Sequence, residues 1–328
     1  FSSGGGAGQT PQADHAGRPA TGYVGWTFKT DGGRAEPDKG VGLTPDTDRF
    51  IADGAVELIR RQPTQPFFLH VNFTGPHDPR IWPRGRENFY NPKNIPLPKN
   101  FDREHPFDHG NANGRDEILF AKPREPAEIR AELATYYAVI ANLDEQVGRI
   151  VTALRATGQL DRTVIIFSSD QGLALGSHGL TGKQSLYEHT FGVPLIFRGP
   201  GVPSGKRIAA SCYLRDLFPT TCELASLTIP ATVQGRSLVP LLAGRENSVR
   251  PHVIGYFTNT QRAIRDDRWK FIWYPQARRQ QLFDLANDAD EVRDLAADPS
   301  QAGRLAELKG KLEAWLKENG DPLFNPKP

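Results

Sequence analysis

The sequence predicts an α/β chain: a mixed sheet sandwiched by helices, followed by a small C-terminal α+β part. Three observations predict it. A helix-periodic segment runs directly into an apolar, strand-like segment twice, within 47–73 and within 127–169, an alternation that suggests a parallel sheet with helices on its faces. Short apolar runs separated by turns then follow residue 250, the pattern of an antiparallel meander. Finally, the 328 residues are 38% hydrophobic with 18 Phe and 5 Trp, which is enough for a sizeable core.

The elements justify this in order. Residues 1–45 are rich in Gly, Pro and Asp without lasting periodicity and read as loop lying over a core supplied elsewhere. From Thr47 to Arg61, Phe50, Ile51, Ala55, Leu58 and Ile59 recur at helical spacing behind Asp46 and Thr47 as caps. Pro66 to Phe73 reads as a buried strand ending in Thr74-Gly75-Pro76-His77-Asp78-Pro79. Residues 80–125 form a Pro-, Asn- and charge-rich excursion, and loops of that length are usually functional or disordered. The longest helix is expected over Ala127–Leu160, with Ile129, Leu133, Tyr136, Ile140, Leu143, Val147, Ile150 and Leu154 inward. Strands at 163–169 and Val193–Phe197 and a helix at Leu214–Leu227 follow. Beyond Gly244, strands are expected at Val253–Phe257, Arg262–Arg265, Lys270–Tyr274 and Gln281–Phe283, with a closing helix over Ala302–Lys317. The change of character divides the chain into 1–245, an α/β catalytic domain, and 246–328, an antiparallel sheet with a helix.

Charge narrows the function. There are 40 basic and 38 acidic residues, a net of +2, which argues against a polyanion-binding surface and so against nucleic acid. No stretch reaches bilayer-spanning length. Cys212 and Cys222 fit no zinc spacing and read as two buried thiols. The first residue is Phe and there is no Met, so the chain is expected to be a fragment lacking its upstream part.

In sheets of this kind, ligands sit beyond the carboxyl ends of strands. One such end delivers His77 and another delivers Asp170 and Gln171, with His178 and Lys183 in the glycine-rich loop behind. A carboxylate beside an amide carbonyl suits a hard divalent cation, whereas an Asp after a strand also serves as a turn cap. Lys183 either sets a point charge on an anionic substrate oxygen or is a solvated lysine. His77 is a general acid or substrate donor, or a turn histidine bonded to backbone, and His178 has the same two readings. Gathered together, the set suggests a metal-assisted, anion-handling hydrolytic site.

These segments resemble the sulfatase family. Pro66-Phe67-Phe68-Leu69 with Gly75-Pro76-His77-Asp78-Pro79 resembles the family's Pro-His-x-Pro turn, and YYAVIANLDEQVGRIVTAL at 136–154 resembles its long helix. SSDQG at 168–172 resembles the second metal-ligand motif, usually Asp-Asn-Gly or Asp-His-Gly. TGKQSLYEHTFGVPLIFRGPG at 181–201 resembles the segment holding the sulfate-binding lysine. RDDRWKFIWYPQ and QLFDLANDADEVRDLA resemble the C-terminal sheet. The resemblance spans about 46–320 and implies an alkaline-phosphatase-like fold. It further implies hydrolysis of sulfate esters of small molecules or glycans with a calcium ion, in a periplasmic or secreted setting. The implied nucleophile is a formylglycine made from Cys or Ser in C/S-x-P-S-R. Carried over, Asp170 and Gln171 are calcium ligands. Lys183 contacts the sulfate and helps stabilise the leaving oxygen, and His77 contacts the sulfate or protonates the leaving group. Gln171 departs from the commoner Asn or His but keeps a carbonyl oxygen. The C/S-x-P-S-R motif is absent from these 328 residues, and the tandem Asp pair that supplies further calcium ligands near the family's N-terminus has no counterpart in their early part, so both are expected upstream and the chain alone is expected to be inactive. The alternatives are a phosphate or phosphonate ester hydrolase of the same superfamily and a non-catalytic binder of sulfated glycans.

Overall fold

The computed structural model describes residues 2–4, 27–29, 34, 45–62, 64–78 and 80–324. It divides into two compact units, Phe1–Leu97 with Ile118–Thr163, and Pro98–Glu117 with Val164–Pro328.

In the first unit β1 (Ser2–Gly4) and β2 (Thr27–Lys29) pair antiparallel, where the sequence reads as loop. The rest of that loop assignment lies outside the described residues, except from 45 onward. Helix α1 (Thr47–Arg60) buries Ala52, Ala55, Val56 and Ile59, and it packs on α2 (Pro126–Ala156). The periodicity places α2 and most of its face: Ile129, Leu133 and Leu154 are buried, and Tyr136, Leu143, Val147 and Ile150 are partly so. Ile140 is exposed, while Ala134, Ala138 and Val139 are buried, because small side chains let two helix backbones approach closely. The Arg80–Glu132 ion pair is buried on α2 as well. Residues 66–73 are extended but carry no strand ladder, and Phe68 is 78% exposed. The expected buried strand is thus an extended segment. Its composition favours a sheet, but no described strand pairs with it.

In the second unit β3 (Ile165–Ser168) and β4 (Leu195–Arg198) pair antiparallel. Helix–strand alternation suggested parallel pairing, but here a loop and the short α3 (Glu188–Phe191) connect the two strands, so β4 returns beside β3 in the opposite direction. The expected helix at 214–227 is a single 3-10 turn leading into α4 (Leu217–Leu224), and α5 (Val239–Leu242) follows. Cys222 is buried and Cys212 partly so, and both are free.

The C-terminal meander is β5 (Val253–Phe257), β6 (Gln261–Arg265), β7 (Trp269–Tyr274) and β8 (Arg279–Asp284), antiparallel in that order. Side chains alternate across such a sheet, and the two sets divide cleanly. Ile254, Ile264, Phe271 and Leu282 face α6 (Ala302–Glu318) through its Leu308, Leu312 and Leu316. Ala263, Ile272, Tyr274 and Phe283 pack instead on Ala174, Leu180, Leu186 and Tyr187. One face is therefore covered by a helix, and the other supports the glycine-rich loop that follows β3. Among the described residues no helix is long and apolar enough to cross a membrane.

Candidate active site

β3 ends at Ser168. Ser168 Oγ donates to the Pro194 carbonyl oxygen at 2.9 Å and Ser169 Oγ to that of Gln171 at 2.9 Å, which ties the strand end to the start of β4. Asp170 then stands exposed and Gln171 half-buried. The chain makes a closed excursion from here: Gly172 N–H donates to the Thr190 carbonyl at 3.0 Å, Ala174 N–H to Gly182 at 2.9 Å, and Gly176 N–H to Leu180 at 2.7 Å. This folding back brings Gly182, the residue before the half-buried Lys183, to Ala174, four positions past Asp170, so Asp170, Gln171 and Lys183 lie along one closed loop.

The sheet beneath holds that loop by its inward polar groups. Gln261 Nε2 donates to the Gln184 carbonyl at 2.9 Å. Lys270, fully buried, donates to the Leu186 carbonyl at 3.0 Å and pairs with Glu188 at 2.6 Å and Glu291 at 2.8 Å. Burial pushes the Glu188 carboxyl up, but Lys270 and Arg265 outweigh it and hold the group below its usual range. Burial dominates at Glu291 and raises it despite Lys270.

His178 belongs to a different part of the loop. Its backbone is left-handed at φ 54°, and its ring stacks on Tyr187 at 3.9 Å. Asn100 Nδ2 lies 3.1 Å from its Nε2, and its carbonyl accepts from His105 Nδ1 at 3.0 Å. Burial, then the neighbouring His105 and Lys270, push its pKa down to about 4, so it is neutral at ordinary pH. With His105, Phe107, Tyr187 and Gln281 it lines a cavity of 430 Å³.

His77 stands in the first unit. Its Nδ1 lies 2.7 Å from the Asp78 carbonyl oxygen and its backbone N–H donates to Thr74 at 3.0 Å, so it is a histidine held in a backbone-bonded turn. The turn has a close neighbour that sequence reading missed. Asp48, buried in the first turn of α1, accepts the Gly75 N–H at 3.2 Å. Burial raises its pKa, with backbone hydrogen bonds from Gly75 and Thr74 working against that. A Cβ at Gly75 would lie 2.6 Å from Asp48 Oδ2, so glycine is what admits the carboxylate. Two further residues missed from sequence are Asp116 and Glu117, which contact 181–184 from the long excursion. Their only sequence signal was the length of that excursion.

Asp170 and Gln171 suit calcium in donor chemistry but not in number. Among the described residues no group of three His, Cys, Asp or Glu side chains gathers that could hold a metal ion, the His105–His109 pair included.

Comparison with known proteins bears on family and fold. The sulfatase family model matches residues 13–227, and the model of the C-terminal region of N-sulphoglucosamine sulphohydrolase matches 176–318. An arylsulfatase of Clostridium perfringens is 30% identical over 286 residues, covering 82% of this chain and 59% of its own length. A choline-sulfatase of Rhizobium meliloti is 32% identical over 271 residues, covering 77% and 52%. The chain thus spans between half and two thirds of the length of these relatives. The solved phosphonate monoester hydrolase of Silicibacter pomeroyi superposes with a TM-score of 0.73 at 25% identity, over 89% of this chain and 64% of that one. The α/β architecture with its C-terminal four-stranded sheet and helix is the alkaline-phosphatase-like fold of those neighbours, and the chain belongs to the sulfatase family.

Proposed function

We propose that this chain supplies the anion-holding side of a sulfate ester hydrolase acting on a sulfated small molecule or glycan. The observation that carries the reading is the anchored loop: the backbone on either side of Lys183 is fixed by hydrogen bonds of Gly182 to Ala174 and of Gln184 to Gln261, on the excursion that starts at the exposed Asp170 just after β3. In this reading Lys183 places its ammonium against the sulfate oxygens and the bridging oxygen, where negative charge grows as the S–O bond breaks. His77 is given the role of the acid in this reading. With Nδ1 turned to the Asp78 carbonyl, Nε2 is the atom assigned to the substrate, where it protonates the departing alcohol oxygen. Asp170 and Gln171 contribute two oxygen ligands to a calcium ion whose remaining ligands come from outside the described residues. That ion, when bound, supplies further charge neutralisation at the sulfate. His178, being neutral, serves as a wall of the substrate region and is not the acid of the reaction. The nucleophile assigned to the reaction is a formylglycine from a C/S-x-P-S-R segment, which these 328 residues do not contain.

The test uses the natural protein, assayed on an aryl sulfate. Lys183→Ala is expected to lower kcat/KM by about 10²–10³-fold, the effect of losing one charge-stabilising group. A rate near wild type removes Lys183 from the site. The likeness to a phosphonate monoester hydrolase supports a second reading, ester hydrolysis at phosphorus. Paired rates on aryl sulfate and aryl phosphonate decide between the two.

A further inference from the structure

The loop that carries Lys183 is held from a third side, by a carboxylate that the proposed reaction does not use. Glu117 is only 2% exposed. Its Oε1 accepts the Gly182 N–H at 2.8 Å and its Oε2 accepts the Thr181 N–H at 3.1 Å. The next backbone N–H, that of Lys183 itself, donates to Gln184 Oε1 at 3.2 Å, and Gln184 Nε2 is held by Asp116 Oδ2 at 2.9 Å. The Thr181 hydroxyl donates to the Asp116 carbonyl oxygen at 2.9 Å. Three successive N–H groups, 181 to 183, are therefore all engaged by Asp116 and Glu117, two of them directly and one through Gln184. Consecutive N–H groups turned to one side make an anion-binding concavity, and here the protein fills it with its own carboxylate. Hydrogen bonds to an ionised acceptor are the strong kind. A buried carboxylate is costly unless fully bonded, so a place for one on this loop calls for an explanation.

The fit is tight as well as polar. A Cβ on Gly182 would lie 2.8 Å from Glu117 Oε1, 2.8 Å from Asp116 Cβ and 2.7 Å from Gln184 Oε1, so only glycine lets the carboxylate seat. Immediately after this fixed point comes Lys183, a side chain with a long flexible stem. Its ammonium is placed reproducibly only if its backbone is, and a displacement of about 1 Å at a reacting group costs on the order of 10²-fold in rate.

We propose that Glu117 is a positioning residue for Lys183, clamping the 181–183 backbone so that the ammonium meets the leaving oxygen of the ester. This rests on the role given to Lys183 above, and it makes part of the long 80–125 excursion an arm of the active site.

The experiment uses the full natural protein and aryl sulfates whose phenol leaving groups span a range of acidities. Glu117→Gln keeps one acceptor oxygen and turns an amide NH2 toward a backbone N–H. It is expected to lower kcat/KM by about 10–100-fold on the poorest leaving groups and much less on the best, so the dependence on leaving group steepens. Lys183→Ala steepens it in the same sense, and the double variant is no slower than Lys183→Ala alone, since Glu117 then has nothing to position. Gly182→Ala disturbs the same contact with the carboxylate still present and is expected to reproduce Glu117→Gln. It carries the test if Glu117→Gln does not fold.

A merely structural role gives a different result. A smaller folded fraction lowers the rate equally for every leaving group, and its loss multiplies with that of Lys183→Ala. Either of those outcomes overturns the proposal. A Lys183→Ala enzyme as fast as wild type would instead refute the role of the lysine, and the proposal would fall with it. The two failures are distinguishable.

Discussion

Acid should loosen the second unit well before its carboxylates titrate, and the reason is the histidine cluster under the Lys183 loop. His105 and His178 are both pushed from the ordinary 6.5 down to about 4, chiefly by burial. His105 is further lowered by His109, and His178 by His105. His189 is lowered in the same way, mainly by burial. A group whose folded pKa lies below its unfolded value binds protons more readily when unfolded. Its contribution to stability is therefore full above about 6.5 and is lost as pH falls from there toward 4. Between about pH 7 and pH 5, one such histidine costs about 2 kcal/mol, so His105 and His178 together cost about 4 kcal/mol. That is a large part of the ~5–15 kcal/mol of a typical domain. Glu291, raised by burial, works in the opposite sense, so the comparison must be between variants. The assay is urea unfolding at both pH values, followed by the fluorescence of Trp269, Trp273 and Trp315. His105→Asn keeps a donor for the His178 carbonyl and His178→Gln keeps an acceptor for Asn100. The double variant should lose about 4 kcal/mol less than wild type on acidification. An unchanged pH dependence in the double variant would refute the assignment of these rings as buried and neutral.

Two further outcomes test buried carboxylates, one in each unit. Gly75→Ala brings a Cβ to 2.6 Å from Asp48 Oδ2 and is expected to cost ~1–3 kcal/mol as an overpacking change, read from the thermal midpoint. Pairing it with Asp48→Ala should recover part of the loss, and strictly additive losses would argue against the contact. Asp216 is fully buried, paired bidentately with Arg250 at 2.6 and 2.8 Å, and accepts the N–H of Tyr213 and Arg236. Arg250→Met leaves that carboxylate without its charge partner and should cost ~3–5 kcal/mol in urea unfolding. A loss below about 1 kcal/mol would show the pair to be of the weak, solvent-screened kind.

The C-terminal sheet was legible because its pattern is local. Runs of alternating large apolar residues separated by turns gave four strands whose centres match β5 to β8. Gln261, just outside the expected strand Arg262–Arg265, begins β6 and bonds the loop. Lys183, Asp170 and Gln171 were legible as residue types at a strand end and in a glycine loop. Their chemistry was read by resemblance to a family, since composition alone left each with a plainer alternative. The face of α2 was legible at Ile129, Leu133 and Leu154 but not throughout, because the periodicity counts large apolar residues, whereas this helix also buries Ala134 and Ala138 and leaves Ile140 exposed. Residues 66–73 carry the composition of a strand, yet being a strand depends on a partner, and the described residues supply none.

What the sequence alone determined is thus the order and kind of most elements and the residues with chemistry to offer, because hydrophobic period, turn residues and strand-end motifs are short-range signals. Only the tertiary structure decided that β3 and β4 run antiparallel, that His178 is a neutral ring stacked on Tyr187, and that Glu117 grips the backbone before Lys183. Each of those depends on groups distant in sequence meeting in space. A carboxylate 64 positions from Thr181 leaves no periodic trace in the chain, and a hydrogen bond is set by where two atoms end up, whatever the residue types between them.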